Sequence, residues 1–167
     1  MTDSEKRVYA FLAENGLFYR HARHRRISAL SDCRLAEEKL SGCMPKNLLL
    51  TPKTCSEYHL LVMHPKSVFR TSLVSKQVGS SRLQFASDEA LNGFFHTHPG
   101  AVSPFGFLFD PEKRVRLILD KRLLQEEFLI FHPLENTASL RMPTRLFVST
   151  VLPLLERTPV WIDMPEI

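Results

Sequence analysis

Three short segments of this chain hold groups that could act on a charged or carbonyl-containing ligand. Lys46-Asn47 stands directly before the apolar run at 48–50, which would place a cation at a strand end facing a cleft. Gly100-Ala-Val-Ser-Pro-Phe-Gly has two glycines that let backbone N–H groups approach a ligand and a proline that stiffens the turn. His132 lies at another predicted strand end. Each feature alone is also typical of a surface lysine, a tight turn or a structural histidine, so only the combination indicates a site.

A pair of histidines suggests a different chemistry, zinc binding. Phe94-Phe-His-Thr-His-Pro-Gly with an aspartate downstream is similar to the metal site of JAMM-type zinc peptidases. The position where that family has its ligand aspartate is Phe109 here, and Asp110 is one residue out of register. Because a one-residue slip turns a ligand away from its metal, histidines at a helix end or in a loop are the favoured alternative. Ser103 is not in a G-x-S-x-G turn, which gives a serine-hydrolase triad with His132 and Asp110 little support.

The most basic stretch is Tyr19-Arg-His-Ala-Arg-His-Arg-Arg, with four arginines and two histidines. Such a run could bind a phosphate backbone through Coulomb attraction and bidentate arginine contacts. A solvated strand or loop face is the alternative interpretation.

The elements that must position these groups are predicted from apolar periodicity. Val8, Phe11 and Leu12 at helical spacing, with Gly16 as the stop, predict the first helix. The predicted helices cover residues 5–15, 27–41, 66–78, 87–95 and 144–156, and the predicted strands cover 47–50, 58–63, 115–119, 127–131, 138–142 and 160–162. Candidate N-caps are Ser31 or Asp32, Ser87 and Thr144. The order predicts an α/β (α+β) fold, one domain over residues 1–167 with a mixed, largely antiparallel sheet flanked by helices.

Composition limits the class of protein. At 167 residues and 19.2 kDa the chain fits one compact domain, which can bury a core without a disulfide or a metal. Its net charge of +4 permits contact with a polyanion. Cys33, Cys43 and Cys55 have no C-x-x-C spacing, so we expect reduced thiols. No apolar stretch has the length of a membrane span, and we expect a soluble cytoplasmic protein.

Six segments, taken in order, carry a more specific signal than any one of them. They resemble the YbaK/prolyl-tRNA editing domain family, free-standing relatives of the insertion domain of bacterial prolyl-tRNA synthetases. The Phe-His-Pro and Val-Ser-Pro-Phe-Gly parts look most like the branch that clears alanine from proline tRNA. The segments are Lys46-Asn-Leu-Leu-Leu, Tyr58-His-Leu-Leu-Val, Ser81-Arg-Leu-Gln-Phe-Ala-Ser, Gly100-Ala-Val-Ser-Pro-Phe-Gly, Val115-Arg-Leu-Ile-Leu-Asp and Phe131-His-Pro-Leu-Glu-Asn-Thr-Ala.

The resemblance implies hydrolysis of the ester that links a wrong amino acid to tRNA, and it implies roles for individual residues. Lys46 matches a lysine near the terminal adenosine and its phosphate, Gly100 begins the family's G-x-x-x-P loop, and His132 matches the pocket histidine. Glu135 is expected outside the pocket. The substrate-binding residues expected beside these three are Asn47, Ala101, Val102, Ser103, Pro104 and Asn136, and the expected tRNA-binding residues are Arg23, Arg25, Arg26 and Arg82.

We therefore predict a trans-editing aminoacyl-tRNA deacylase, with alanine mischarged to proline tRNA as substrate. We expect no cofactor, no bound metal and no membrane partner, and a monomer or weak homodimer. The alternatives are a tRNA- or nucleic-acid-binding module without hydrolytic activity, supported by the basic stretch, and a JAMM-like zinc peptidase.

Overall fold

Eight strands and six α-helical segments form the part of the chain described by the computed structural model, residues 1–27 and 33–166. The strands are β1 (Arg20–Arg23), β2 (Lys46–Pro52), β3 (Tyr58–Met63), β4 (Leu83–Phe85), β5 (Val115–Asp120), β6 (Phe128–Phe131), β7 (Ala138–Pro143) and β8 (Val160–Ile162). The helices are α1 (Asp3–Glu14), α2 (Cys33–Leu40), α3 (Thr71–Val78), α4 (Asp88–Phe95), α5 (Thr144–Leu146) and α6 (Leu152–Leu154). Short 3-10 helices cover Pro104–Phe109 and Lys121–Gln125, and a π-helical turn, Phe147–Val151, joins α5 to α6.

The strands form two sheets rather than the single sheet predicted. One has three strands in the order β1-β7-β6, all antiparallel. The other has five in the order β4-β2-β3-β5-β8, with β2 antiparallel to both neighbours and β5 parallel to β3 and β8. The expectation of a mixed, largely antiparallel α+β fold is confirmed.

A parallel bridge between Cys43 and Leu129 connects the two sheets. The Ile130 N–H donates to the Cys43 carbonyl at 2.8 Å. Because the two segments run in the same direction here, Lys46 and His132 each lie three residues beyond the bridge, on the same side of it. The bridge thus brings the start of β2 and the end of β6 to one region of the molecule.

The five-stranded sheet separates two apolar clusters. Leu49 and Leu60 on one face belong to the larger cluster, which also includes residues of α1 and of the 104–109 segment. Leu50, Leu61 and Ile118 on the opposite face belong to a smaller cluster that lies under α3. Successive strand residues point to opposite faces, which is why the two clusters alternate along β2 and β3.

The local helix signals were read correctly at α1 and α4. The Ser87 hydroxyl accepts from the Ala90 N–H at 3.1 Å, so Ser87 is the N-cap of α4 as predicted. In α1, Val8 and Leu12 are fully buried, and Gly16 follows the helix with a φ of +58°. The hairpin of β2 and β3 and strands β5 to β8 are also confirmed near their predicted bounds.

Other predicted boundaries were wrong because tertiary contacts compete with helix formation. The helix predicted over 66–78 begins only at Thr71, since Ser67 bonds to Asp120 and the Val68 N–H donates to the Pro165 carbonyl. The helix predicted over 27–41 covers Cys33–Leu40, and the caps proposed for it, Ser31 and Asp32, lie outside the described residues. Thr144 is the first helical residue rather than an N-cap, and the last helix ends at Leu154.

Strand β4 was missed, and β1 is the basic stretch itself, for which a solvated strand or loop face was the alternative interpretation. Cys43 and Cys55 are free thiols. Within the described residues, none of the helices is both long and apolar enough to cross a bilayer.

Candidate functional site

His132 lies at the end of β6 with a defined tautomer. The ring is 8% exposed, and its Nδ1 lies 2.9 Å from the Ala138 carbonyl, which can only accept. Nδ1 therefore carries the proton, and Nε2 is left with a free lone pair. Burial lowers the pKa of His132 below its usual value, against the opposing effect of the bond to Ala138, so the ring is neutral at physiological pH. The site thus contains a fixed hydrogen-bond acceptor at Nε2.

The Gly100 loop packs directly against the turn that follows His132. Gly100 has a φ of +88°, a conformation that a side chain would strain, and a Cβ built there would lie 3.6 Å from Asn136 Nδ2. Thr97 Oγ1 donates to the Leu134 carbonyl at 3.1 Å. The structure therefore brings the loop and the residues after β6 together, as the sequence predicted.

Backbone N–H groups of this loop are available to a ligand. The Ala101 N–H donates to the His98 carbonyl, and the Ser103 hydroxyl accepts from the Phe105 N–H at 3.3 Å. Among the described residues, the N–H groups of Gly100, Val102 and Ser103 make no hydrogen bond. Ala101, Ser103 and Pro104 are buried, which fixes the position of the loop. Such free N–H groups are suited to a developing oxyanion.

Asn136 holds the loop region to the segment after β1. Its Nδ2 donates to the Ile27 carbonyl at 2.9 Å, while its Oδ1 is buried without a partner among the described residues. The Glu135 carboxylate accepts from the Asn136 N–H at 2.9 Å and lies 3.3 Å from His98 Nε2. Glu135 was expected outside the pocket, and its carboxylate bonds to the backbone of the turn that carries Asn136.

Sequence reasoning missed two residues that support His132. Ser139 is fully buried, and its hydroxyl lies 2.8 Å from His24 Nε2 and 3.5 Å from His132 Nδ1. His24 Nδ1 lies 2.7 Å from the Arg25 carbonyl, so Nδ1 donates and Nε2 accepts from Ser139. The two imidazole rings lie 6.2 Å apart. The one available signal was the position of His24 within the basic stretch.

Lys46 and Asn47 are less directly connected to this group. Lys46 is half-buried at the start of β2 and has no ion-pair or hydrogen-bond partner among the described side chains. Register with Met63 places Lys46 on the face of the smaller cluster, and Asn47 therefore points to the opposite face. Asn47 Nδ2 donates to the Pro45 carbonyl at 3.3 Å, and its Oδ1 is buried without a partner in the described part of the chain. Neither residue has a recorded contact with His132.

The four arginines expected to bind tRNA fall into different environments. Arg23 pairs at 2.9 Å with Glu5, whose side chain is almost wholly buried, so part of its guanidinium is used within the fold. Arg25 also has an interaction within the chain, whereas Arg26 is exposed next to it. Arg82 is exposed on the distant edge of the five-stranded sheet, just before β4.

The residues of the two hydrolase alternatives have structural roles. His96 stacks on Phe109 with ring centroids 4.2 Å apart, while His98 faces Glu135. Asp110 is 3% exposed and pairs with Arg157 at 3.1 Å. Each of these residues therefore has a contact of its own within the fold.

One cluster with the composition of a metal site was not predicted from the sequence. Ligand atoms of Cys43, His64 and Glu126 lie within 4.8 Å of one another. Both nitrogens of His64 are already used, since Nδ1 accepts from the Lys66 N–H at 3.0 Å and Nε2 lies 2.7 Å from Glu126 Oε1. Burial raises the pKa of the Cys43 thiol to about 12. His64 and Glu126 are thus bonded to each other, and the buried Cys43 thiol lies beside them.

Fold and site together define a small α+β domain in which a glycine loop, with N–H groups that make no hydrogen bond among the described residues, packs against the turn after a neutral histidine. The sequence model of a protein family described as the aminoacyl-tRNA editing domain matches residues 29–149. The chain belongs to this family of aminoacyl-tRNA editing domains.

Individual relatives agree with this assignment. The prolyl-tRNA editing protein ProX of Acetoanaerobium sticklandii is 27% identical over 137 residues, which cover 82% of this chain and 84% of that protein. Prolyl-tRNA synthetase associated domain-containing protein 1 of Xenopus laevis is 28% identical over 151 residues, covering 88% and 89%. The crystal structure of a proposed trans-editing enzyme for prolyl-tRNA synthetase superposes with a TM-score of 0.73 at 18% identity, covering 100% of this chain and 99% of that chain. The structural match shows a shared fold.

Proposed function

We propose that this protein is a trans-editing deacylase that acts in the cytoplasm and hydrolyses the ester of alanine mischarged to proline tRNA. Membership of the editing-domain family and the names of the two relatives support the reaction class. The observation that carries the proposal is the neutral His132, held by Ala138, in a region where the Gly100 loop offers unbonded N–H groups. Hydrolysis of an activated ester needs such a base to orient water and such donors to stabilise the oxyanion.

The reaction needs orientation more than a protein nucleophile, because an aminoacyl ester is already activated. His132 Nε2 accepts a hydrogen bond from the attacking water and takes its proton as the new C–O bond forms. The N–H groups of Gly100, Val102 and Ser103 stabilise the oxyanion of the tetrahedral intermediate. The ester C–O bond then breaks, the ribose oxygen receives the proton, and the products are the free amino acid and intact tRNA.

In this proposal the discrimination between amino acids is steric. If His132 and the Gly100 loop surround a space suited to a methyl group, proline is rejected by steric overlap while alanine fits. Ala101, Val102 and Pro104 are buried and have few rotamers to exchange, which makes the loop stiff.

Docking of the tRNA is assigned to unpaired cations. Lys46 lies on the same side of the sheet-joining bridge as His132 and has no carboxylate partner among the described residues. In this proposal it contacts the phosphate of the terminal adenosine, and Arg26 and Arg82 contact the backbone further away.

The decisive experiment incubates the pure protein with alanyl-, seryl- and prolyl-tRNA(Pro) under single-turnover conditions. We expect rapid loss of alanine, slower loss of serine and no acceleration for proline over the spontaneous rate. If the protein accelerates hydrolysis of none of the three substrates over its spontaneous rate but binds tRNA tightly, the protein is instead a binding module without hydrolytic activity.

A further inference from the structure

Two phenylalanines form an exposed aromatic surface on the edge strand of the five-stranded sheet. Phe85 on β4 is 62% exposed, and Phe69 lies beside it with ring centroids 5.7 Å apart and planes inclined by 34°. Phe69 is half-buried and packs on the smaller apolar cluster, so the pair has a fixed base and an open face. Leaving a large aromatic face in water is unfavourable unless something covers it.

This aromatic pair shares a sheet face with Lys46. Phe85 is directly opposite Leu50 in the β2–β4 ladder, and Leu50 lies four positions after Lys46 on β2. Their side chains therefore point to the same face. At a rise of about 3.4 Å per residue, Lys46 lies about 14 Å along β2 from the aromatic pair. A short stretch of single-stranded nucleic acid can span that distance.

Cations and hydroxyl groups adjoin the aromatic pair. Arg70 follows Phe69 in the chain, and both Arg70 and Arg82 are exposed without a recorded side-chain partner in the described residues. Between α3 and the start of β4 there is a cavity of about 460 Å³. It is lined by Thr71, Ser72, Ser75, Lys76, Ser80 and Arg82.

A carboxylate beside the cavity is bonded to other groups. Glu57 reaches the cavity through its hydrogen bond with Ser80 at 2.7 Å. Its other contacts are with His59 at 3.5 Å and Arg116 at 3.9 Å. Lys76 and Arg82 therefore remain available to a phosphate.

We propose that Phe69 and Phe85 form a stacking platform for an unpaired base of the tRNA 3′ end, with Arg82 and Lys76 binding an adjacent phosphate. Aromatic faces bordered by cations are the recurring means of holding single-stranded nucleic acid, because every base has a face that can stack. This inference rests on the proposed function, since it places the single-stranded 3′ end of the tRNA on the sheet face where Lys46 contacts the terminal nucleotide. Phe85 would act on binding and Lys46 on the ester-bearing end.

The test measures binding of fluorescent uncharged tRNA(Pro), intact or shortened by removal of its single-stranded 3′ end, to the full chain. Phe85→Ala should weaken binding of the intact tRNA by roughly 5- to 100-fold, and Phe85→Trp should restore it. Arg82→Gln should lower the slope of log Kd against log salt by about one unit. Leu124→Ala is the matched control, because Leu124 is an apolar side chain with 55% exposure elsewhere on the surface.

Each outcome is informative. Equal binding of intact tRNA by wild type and Phe85→Ala would overturn the inference, as would an equal loss for the shortened tRNA. Loss of self-association by Phe85→Ala with unchanged tRNA binding would overturn it in favour of a contact between two copies of the chain. Wild-type protein that binds tRNA through Phe85 but hydrolyses no mischarged tRNA would support the platform and refute the proposed function.

Discussion

Replacing His132 with alanine removes two hydrogen-bonding groups, each with a different role. The variant loses the Nδ1 donor to the Ala138 carbonyl and the Nε2 acceptor to which the proposal assigns the attacking water. The first loss affects stability and the second affects the reaction, so the two can be measured independently.

The expected loss of stability is moderate. Ala138 is fully buried, and its carbonyl would be left without its partner, which costs about 1–3 kcal/mol of unfolding free energy. A domain of this kind has about 5–15 kcal/mol to lose, so His132→Ala should remain folded at 25 °C. The expected kinetic loss is larger, because removal of a general base lowers rates by about 10²- to 10⁴-fold.

The assay is single-turnover hydrolysis of alanyl-, seryl- and prolyl-tRNA(Pro), with thermal unfolding measured on the same preparations. His132→Ala should slow alanine release by at least about a hundredfold and reduce the selectivity for alanine over the larger amino acids. His96→Ala serves as the control, since that histidine stacks on Phe109.

Wild-type rates in a folded His132→Ala protein would refute the assignment of the base. A slower variant with unchanged ratios among the three amino acids would show that the discriminating wall lies elsewhere.

The remaining predictions concern docking, metal, stability and pH. Lys46→Ala should reduce kcat/KM for alanyl-tRNA by about 10- to 100-fold with an unchanged unfolding temperature, and an unaltered rate would remove Lys46 from the site. Treatment with a chelator should leave deacylation unchanged, whereas a loss that zinc restores would contradict the metal-free mechanism. Arg157→Leu should lower the unfolding free energy in urea by about 3–5 kcal/mol, because it strands a buried carboxylate, while Lys121→Leu, which breaks an exposed ion pair, should change it by less than about 1 kcal/mol. Burial lowers the pKa of His59 and of His132 in the folded protein. The unfolding free energy should therefore be constant above pH 6.5 and decrease below it, because the unfolded chain takes up protons that the folded rings do not. Urea midpoints measured across this pH range test the prediction.

The sequence was sufficient where the signal is local. The Ser87 cap, the β2–β3 hairpin and the Gly100 loop depend on residues within a few positions of one another, and these predictions were confirmed. For Arg20 to Arg23 a strand was only one of the alternatives, because the segment has neither β-branched residues nor alternation. The segment becomes a strand only by pairing with β7, more than a hundred residues away.

The same long-range pairing explains what was missed in the site. His24 reaches Ser139 because β1 and β7 place Ala22 opposite Ser139. The bonds that connect Glu135, Asn136 and Ile27 likewise join segments that are remote in sequence. A motif can therefore identify His132 and Gly100, but the residues that hold them are determined by the assembled sheets.

The position of β1 and β8 has a consequence for how far this domain can be trimmed. The family match covers residues 29–149, so α1, β1 and β8 all lie outside it. A chain shortened to that match would leave β7 and β5 each with an unpaired edge and would remove Val8 and Leu12 from the larger apolar cluster. Unpaired edges next to an opened core are templates for intermolecular strand pairing, so such a fragment should aggregate during expression. The unit that evolution or an engineer could transplant into another protein is thus the domain with both flanking strands, not the matched centre alone.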